Sequence, residues 1–298
     1  MPSIDHETYP LDQSPFYKLQ TRKKLAEVLF LSTAGMKKLA GCADEYRCWD
    51  EPKKSGGTRR IEAPPESLKL VQRRISDQLQ RITPPPYLSA PVKGRSYVHN
   101  AATHVGARAF RLLDVEDFFP SCTDKRVFWF FNTAMQCSRD VAAVLTKLTT
   151  LNGHLPQGSP CSPILAYFAY HDMWDDIHAI VSRAGCKLSI YADDITISGD
   201  VIYERDVWAI KQVLHRAGHR YSQKKERSIV GKPADITGVI VDGDDLLLPN
   251  RQHRELAAVR KQRQAATGHQ DREKLDRKIR GRVAQANQIS KHFERVGR

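Results

Sequence analysis

The chain has 298 residues, 41% of them apolar and 27% charged. That balance supports one large core or two to three small subdomains and excludes wholesale disorder. Lysine and arginine number 47 against 34 acidic residues, a formal charge of +13, which favours a polyanionic partner, either nucleic acid or an acidic membrane surface. No apolar run approaches the length of a bilayer span, the best being Ile164 to Tyr170, so no membrane is expected. The first residues lack a basic stretch followed by an apolar one, so no secretory signal is read. Six scattered cysteines contain no Cys-x-x-Cys pair and are expected to be reduced thiols of a cytoplasmic protein.

Residues 1–46 read as a helical segment with Leu19, Leu25, Val28 and Leu29 among basic residues. Arg47 to Lys54 and Thr58 to Ala63 flank Ser55-Gly56-Gly57, which predicts a hairpin. A helix is expected from Leu68 to Ile82, stopped by Pro84-Pro85-Pro86. A strand from Ala109 to Val115 follows, then helices over 123–134 and 138–150. Gly158 to Pro163 opens a further helix expected to run to about Ser182. Lys187–Ala192 and Ile195–Ser198 form a second predicted hairpin, followed by a helix over 203–217 and strands near 227–230 and 236–241. This order describes an α+β chain, an antiparallel sheet with helices on one face. In the tail, Asn250 is expected to cap a helix that Gly268 ends. A second helix then carries Leu275, Ile279, Val283, Ala286, Ile289 and Phe293 as one apolar stripe. Residues 251–298 hold 14 lysines and arginines against 5 acids, so most of the charge excess is local.

The chemistry lies in three carboxylates at predicted strand ends: Asp114 in Leu-Leu-Asp-Val-Glu-Asp-Phe-Phe, and Asp193 and Asp194 in Tyr-Ala-Asp-Asp. Taken singly, each is an ordinary turn or cap residue. Brought together, they repel one another unless a dication neutralises them, and hard oxygen donors that leave room for water select Mg2+. Two such ions serve in-line phosphoryl displacement.

These boxes, with Leu155-Pro156-Gln157-Gly158-Ser159-Pro160 between them, resemble reverse transcriptases in order and spacing from about residue 47 to 248. Asn100-Ala101-Ala102-Thr103-His104 and Ile236-Thr237-Gly238 narrow the resemblance to bacterial retron enzymes. Ile236, Glu116 and Ser222 depart from that family's usual residues. The resemblance implies a right-hand polymerase: fingers over 47–108, a split β-α-β palm over 109–248 interleaved with fingers helices at 123–150, and a helical thumb over 249–298. It implies that Asp114, Asp193, Asp194 and the Val115 carbonyl hold the metal ions. Lys54, Arg59, Gln157 and Lys225 would meet the nucleotide, and Phe119 would exclude a ribose 2′-hydroxyl. Asn100, His104, Thr237 and Gly238, with Arg272, Arg277 and Arg280 of the tail, would meet RNA. The implied activity is RNA-directed DNA synthesis from deoxynucleoside triphosphates on a structured non-coding RNA, giving a branched RNA–DNA hybrid. The implied role is antiphage defence beside an effector (toxin) protein. The rivals are a group II intron-like or other defence-associated reverse transcriptase, against which the end of the chain after the thumb weighs, and a catalytically idle RNA-binding scaffold.

Overall fold

The computed structural model describes residues 8–53 and 56–290. Two short helices, α1 (Arg22–Val28) and α2 (Thr33–Leu39), start at Thr21 and Ser32, whose hydroxyls accept from the backbone N–H of Lys24 and Gly35. Leu19, Leu25 and Leu29 are buried here as their spacing requires. Strands β1 (Arg47–Pro52) and β2 (Thr58–Ala63) pair antiparallel in the predicted hairpin. Helix α3 (Glu66–Leu79), strand β3 (Leu88–Ala90) and helix α4 (Tyr97–Ala102) lead to β4 (Ala109–Glu116). The chain continues through α5 (Phe118–Ser121), α6 (Asp124–Trp129), α7 (Arg139–Thr149), α8 (Ser162–Phe168) and α9 (His171–Arg183). The single helix expected to about Ser182 is therefore two, broken at Ala169–Tyr170, where the Tyr170 hydroxyl turns to bond the backbone of Ser121 and Thr123.

Strands β5 (Lys187–Tyr191) and β6 (Asp194–Gly199), helix α10 (Glu204–Arg216), and strands β7 (Arg220–Tyr221) and β8 (Arg227–Val230) complete the central sheet. Its order is β3-β5-β6-β4-β7, with β8 also on β4. Only β3 and β5 run parallel. Leu113 and Val115 of β4 share one buried cluster with Trp174 and Ile177 of α9 and Ile210 and Leu214 of α10. Phe110 and Leu112 point the other way, into a second cluster, as the two-residue period of a strand demands.

That second cluster is built on β9 (Ala234–Ile236), β10 (Val239–Asp242) and β11 (Asp245–Leu247). The strand expected near 236–241 is in fact a hairpin. Thr237 (φ 49°) and Gly238 (φ 90°) occupy its two-residue turn. The tail forms α11 (Asn250–Ala265) and α12 (His269–Ser290). Asn250 does not cap α11: it lies inside the first turn, Pro249 stands before it, and no side chain caps the end. Nor does Gly268 end it, since Ala266 has already turned extended. Of the apolar stripe on α12, Ile289 is fully buried, in one cluster with Val98 and Ala101 of α4 and Val239, while Leu275, Ile279, Val283 and Ala286 are half-buried. Phe293 lies outside the described residues. No described helix is long and apolar enough to cross a membrane.

Candidate active site

The site is set by where β4 ends. Its residues are buried almost throughout, so Asp114 arrives on rigid backbone and is itself only 7% exposed. Asp117 (φ 44°) then turns the chain sharply into α5, which carries Phe118 and Phe119. Beside β4, the β5–β6 hairpin closes through Ala192, held at φ 57°. A non-glycine residue in that region costs roughly 1–2 kcal/mol and persists where its surroundings fix it. The turn places Asp194 opposite Asp114 in the ladder, and the Val115 N–H donates to the Asp193 carbonyl at 2.9 Å. Two boxes nearly eighty residues apart in sequence thus meet at one sheet edge.

The electrostatics follow from crowding. Burial first, then the charges of Asp193 and Asp114, push the Asp194 carboxyl up to about 7. Burial likewise raises Asp193, with Asp114 adding to it and Lys225 and Arg59 opposing. Lys225 Nζ donates to Asp114 Oδ2 at 2.7 Å. Burial works against the Lys225 charge, but this hydrogen bond and the three aspartates outweigh it and raise the amine. Among the described residues no three His, Cys, Asp or Glu side chains converge closely enough to enclose an ion. The expected carboxylate cluster is therefore met in the backbone register and not as a closed coordination shell. The donor set fits a hard divalent cation: oxygen ligands only, raised carboxyls, and one lysine already drawn onto Asp114.

A cavity of about 780 Å³ opens at this edge, lined by Asp114, Val115, Phe119, Gln157, Asp193 and Lys225, and by Lys53 and Arg59 of the first hairpin. Lys54 lies outside the described residues. Lys53, which sequence reasoning missed, lines the cavity and stands 3.7 Å from Asp117 Oδ1; a doubled lysine before a glycine turn was the available signal. Phe119 is half-buried and packs against the buried Phe118, ring centroids 5.7 Å apart.

Gly158 sits against the first hairpin. A Cβ there would sit 2.6 Å from the Glu62 carbonyl oxygen, so the close approach that glycine allows is to β2. The Glu62 N–H also donates to the Gln157 carbonyl at 3.2 Å, and Glu62 Oε2 lies 2.8 Å from His154 Nε2. Gln157 is thereby held to the base of the hairpin that carries Arg59.

The seven expected RNA contacts divide. Asn100 and His104 are fully buried, which corrects the reading of them as direct contacts. His104 spends both ring nitrogens on Ser198 and Ser189, each at 2.7 Å, and burial pushes it down to about 3, so it is a neutral internal brace. Asn100 Nδ2 donates to Thr237 Oγ1 at 3.2 Å, joining two motifs 137 residues apart. Thr237 itself lines a smaller cleft of about 240 Å³ with Asp114, Asp194 and Lys225. The Gly238 carbonyl accepts from Gln252 Nε2 at 3.1 Å, at the start of α11. Arg277 and Arg280 are exposed on α12, and the likewise exposed Arg272 donates to the Ala266 carbonyl at 2.7 Å.

Comparison with known proteins decides the family. Residues 51–241 match the family described as reverse transcriptase (RNA-dependent DNA polymerase). The chain belongs to the reverse transcriptase family. It is 36% identical to the retron Se72 reverse transcriptase of Salmonella heidelberg over 50% of this chain and 40% of that one. With the retron Mx65 reverse transcriptase of Myxococcus xanthus it shares 35% identity over 66% of this chain and 51% of the relative. The chain thus spans about half or less of these two relatives, and the retron resemblance read from the sequence agrees with them. Among solved structures, apo telomerase from Candida tropicalis, truncated from its C-terminal domain, superposes with a TM-score of 0.51 at 10% identity, over 68% of this chain and 55% of that one. That likeness is one of fold. The architecture is the α+β right-hand polymerase expected.

Proposed function

We propose that this reverse transcriptase is the RNA-directed DNA polymerase of a retron, copying a structured non-coding RNA into DNA. One observation carries the reading: a single cavity is lined by Asp114 and Asp193, by the cations Lys53, Arg59 and Lys225, and by Phe119 and Gln157. Phosphoryl transfer is served by positioning and charge neutralisation, and this cavity offers both. The division into fingers over 47–108, palm over 109–248 and thumb over 249–298 belongs to the same proposal.

In this reading Asp114, Asp193 and Asp194, with the Val115 carbonyl, would hold Mg2+ ions, which when bound supply Lewis-acid stabilisation of the transferring phosphoryl group. Lys53 and Arg59 neutralise the triphosphate from the hairpin side, and Lys225 does so from the Asp114 side. The Phe119 ring stands as a wall against a 2′-hydroxyl. Gln157, tied to β2, fixes the distance between the nucleotide's two walls. The exposed arginines of α12 grip the phosphate backbone of the RNA. The primer as a guanosine 2′-hydroxyl, the branched product, the effector protein and a role in phage defence belong to the retron resemblance of the sequence.

The test is RNA-templated extension by the purified protein with Mg2+ and deoxynucleotides, together with sequencing of copurifying nucleic acid before and after ribonuclease and debranching treatment. Extension with a branched product supports the proposal. Bound RNA without any extension would leave an idle scaffold.

A further inference from the structure

Between β7 and β8 the partner strand leaves β4. Val115 and Glu116 pair with Tyr221 and Arg220, and Leu112 and Arg111 pair with Arg227 and Ser228. Residues 222–226 fill the gap beside Leu113 and Asp114 as one tight turn, whose Lys225 and Glu226 N–H groups both donate to the Ser222 carbonyl at 3.1 Å. The Ser222 N–H donates in turn to the Asp114 carbonyl at 2.8 Å. The consecutive side chains of this turn go to opposite faces of the same strand. Lys225 reaches Asp114 on the cavity face, and Glu226 reaches Arg111 on the helix face at 3.1 Å.

The second contact is one part of a network that is buried apart from Glu204. Lys211 of α10 donates to both Glu226 carboxylate oxygens at 2.8 Å, and Glu204 of the same helix also pairs with Arg111. The Arg111, Lys211 and Glu226 side chains are only 8%, 13% and 18% exposed, whereas Lys225 is 55% exposed. A buried pair is weak evidence for stability, but removing one member leaves the others charged and uncompensated. The network therefore fixes where the turn sits, while the lysine it carries stays on a flexible stem in the open cavity.

We propose that Glu226 is a positioning residue: held by Arg111 and Lys211, it aims Lys225 into the nucleotide cavity beside Asp114. This rests on the polymerase reading above. Glu226 touches neither nucleotide nor carboxylates in this scheme and acts only through its neighbour.

The test is a double-mutant cycle on the full chain, reading kcat and KM for deoxynucleotide separately, with thermal unfolding and RNA affinity alongside. Lys225→Ala lowers kcat/KM on the order of ten- to hundredfold, the size of one charge-assisted hydrogen bond. Glu226→Gln produces a loss of similar kind, in the same parameter, with RNA affinity unchanged. In the Lys225→Ala background, Glu226→Gln then adds little further loss, because there is no longer an amine to aim. Lys211→Gln, which loosens the network without altering the turn, gives a second cycle if Glu226→Gln does not fold, with the same dependence on Lys225. Additive losses in the informative cycle overturn the proposal, since they assign Glu226 to general stability. So does an unaffected Lys225→Ala in an active enzyme. A wild-type protein that extends no primer removes the polymerase reading itself, and the proposal with it.

Discussion

Two regions of this molecule carry their charge in opposite ways. At the β4–β6 edge, the acids stand at the ends of buried strands, in a ladder register that places Asp194 against Asp114. In α11 and α12, the basic residues stand on helices with one fully buried side chain, Ile289. Their ion pairs, such as Arg263 with Asp276 at 3.0 Å, lie on the surface. The core dictates position in the first region, and single atoms matter there. In the second, charge is distributed and nearly every basic side chain is wet, so each contributes a graded share. The contrast predicts steep responses at the edge and shallow, salt-dependent ones in the tail.

The largest expected effect is at Asp114 and Asp193. Asp114→Asn or Asp193→Asn should lower RNA-templated synthesis by on the order of a thousandfold or more, with the melting temperature and RNA affinity retained. Near wild-type extension by both variants would end the assignment. Next comes Gly158→Ala, whose new Cβ meets the Glu62 carbonyl at 2.6 Å. Forcing β2 away should cost about 1–3 kcal/mol in stability, seen in denaturant titration, and raise the deoxynucleotide KM. A variant with unchanged KM would show that the hairpin's position does not set the cavity. Phe119→Ala should raise ribonucleotide use relative to deoxynucleotide by roughly tenfold or more, measured as a ratio of kcat/KM. Should Phe118→Ala do this instead, the wall is the neighbouring ring.

In the tail, Arg277→Glu with Arg280→Glu should weaken RNA binding and flatten its logarithmic salt slope by about 0.7–0.9 for each phosphate that is no longer neutralised. Titration at several salt concentrations decides this, and an unchanged slope would make α12 a merely solvated face. The smallest effect on activity is expected at His104, whose pKa falls from its ordinary 6.5 to about 3 through burial, with Lys187 adding to it. Its folded pKa is depressed, so the unfolded chain takes up the proton first. The associated stability is complete above pH 6.5 and is lost, at about 1.4 kcal/mol per pH unit, as pH falls toward 3. His104→Gln should remove that slope from an acid denaturation series. A slope as steep as wild type would assign it to other groups.

How much of this was legible depended on whether a residue's partner was local. The Tyr-Ala-Asp-Asp hairpin declared itself through alternating apolar residues on both sides of a polar turn, and the β1–β2 hairpin did so through its paired glycines. Thr237-Gly238 was a turn signal too, but Ile236 and Val239 to Val241 made the whole segment read as one strand. His104 looked like a surface ligand because the serines that satisfy it lie 85 and 94 residues away. The Gly158 approach to Glu62 was hidden for the same reason: the box that holds the glycine was readable, but the backbone it faces was not. The tie of Glu226 to Arg111 and Lys211 is likewise invisible in a Lys-Lys-Glu run, where Lys225 was singled out by the family resemblance and Glu226 by nothing. The tail's stripe announced a buried face but not that its anchor, Ile289, joins the cluster built on β9, β10 and β11.

The position of β4 in the sheet has a consequence for synthesis. It is complete at Glu116, yet its neighbours on either side, β6 and β8, begin at Asp194 and end at Val230. On a ribosome adding roughly 5–20 residues per second, the strand bearing Asp114 waits on the order of ten seconds with both edges unpaired. An unpaired apolar strand is a template for pairing with the wrong chain. Through that interval the nascent protein holds its central buried strand open, and a chain cut short before residue 230 would leave part of that strand without its partner.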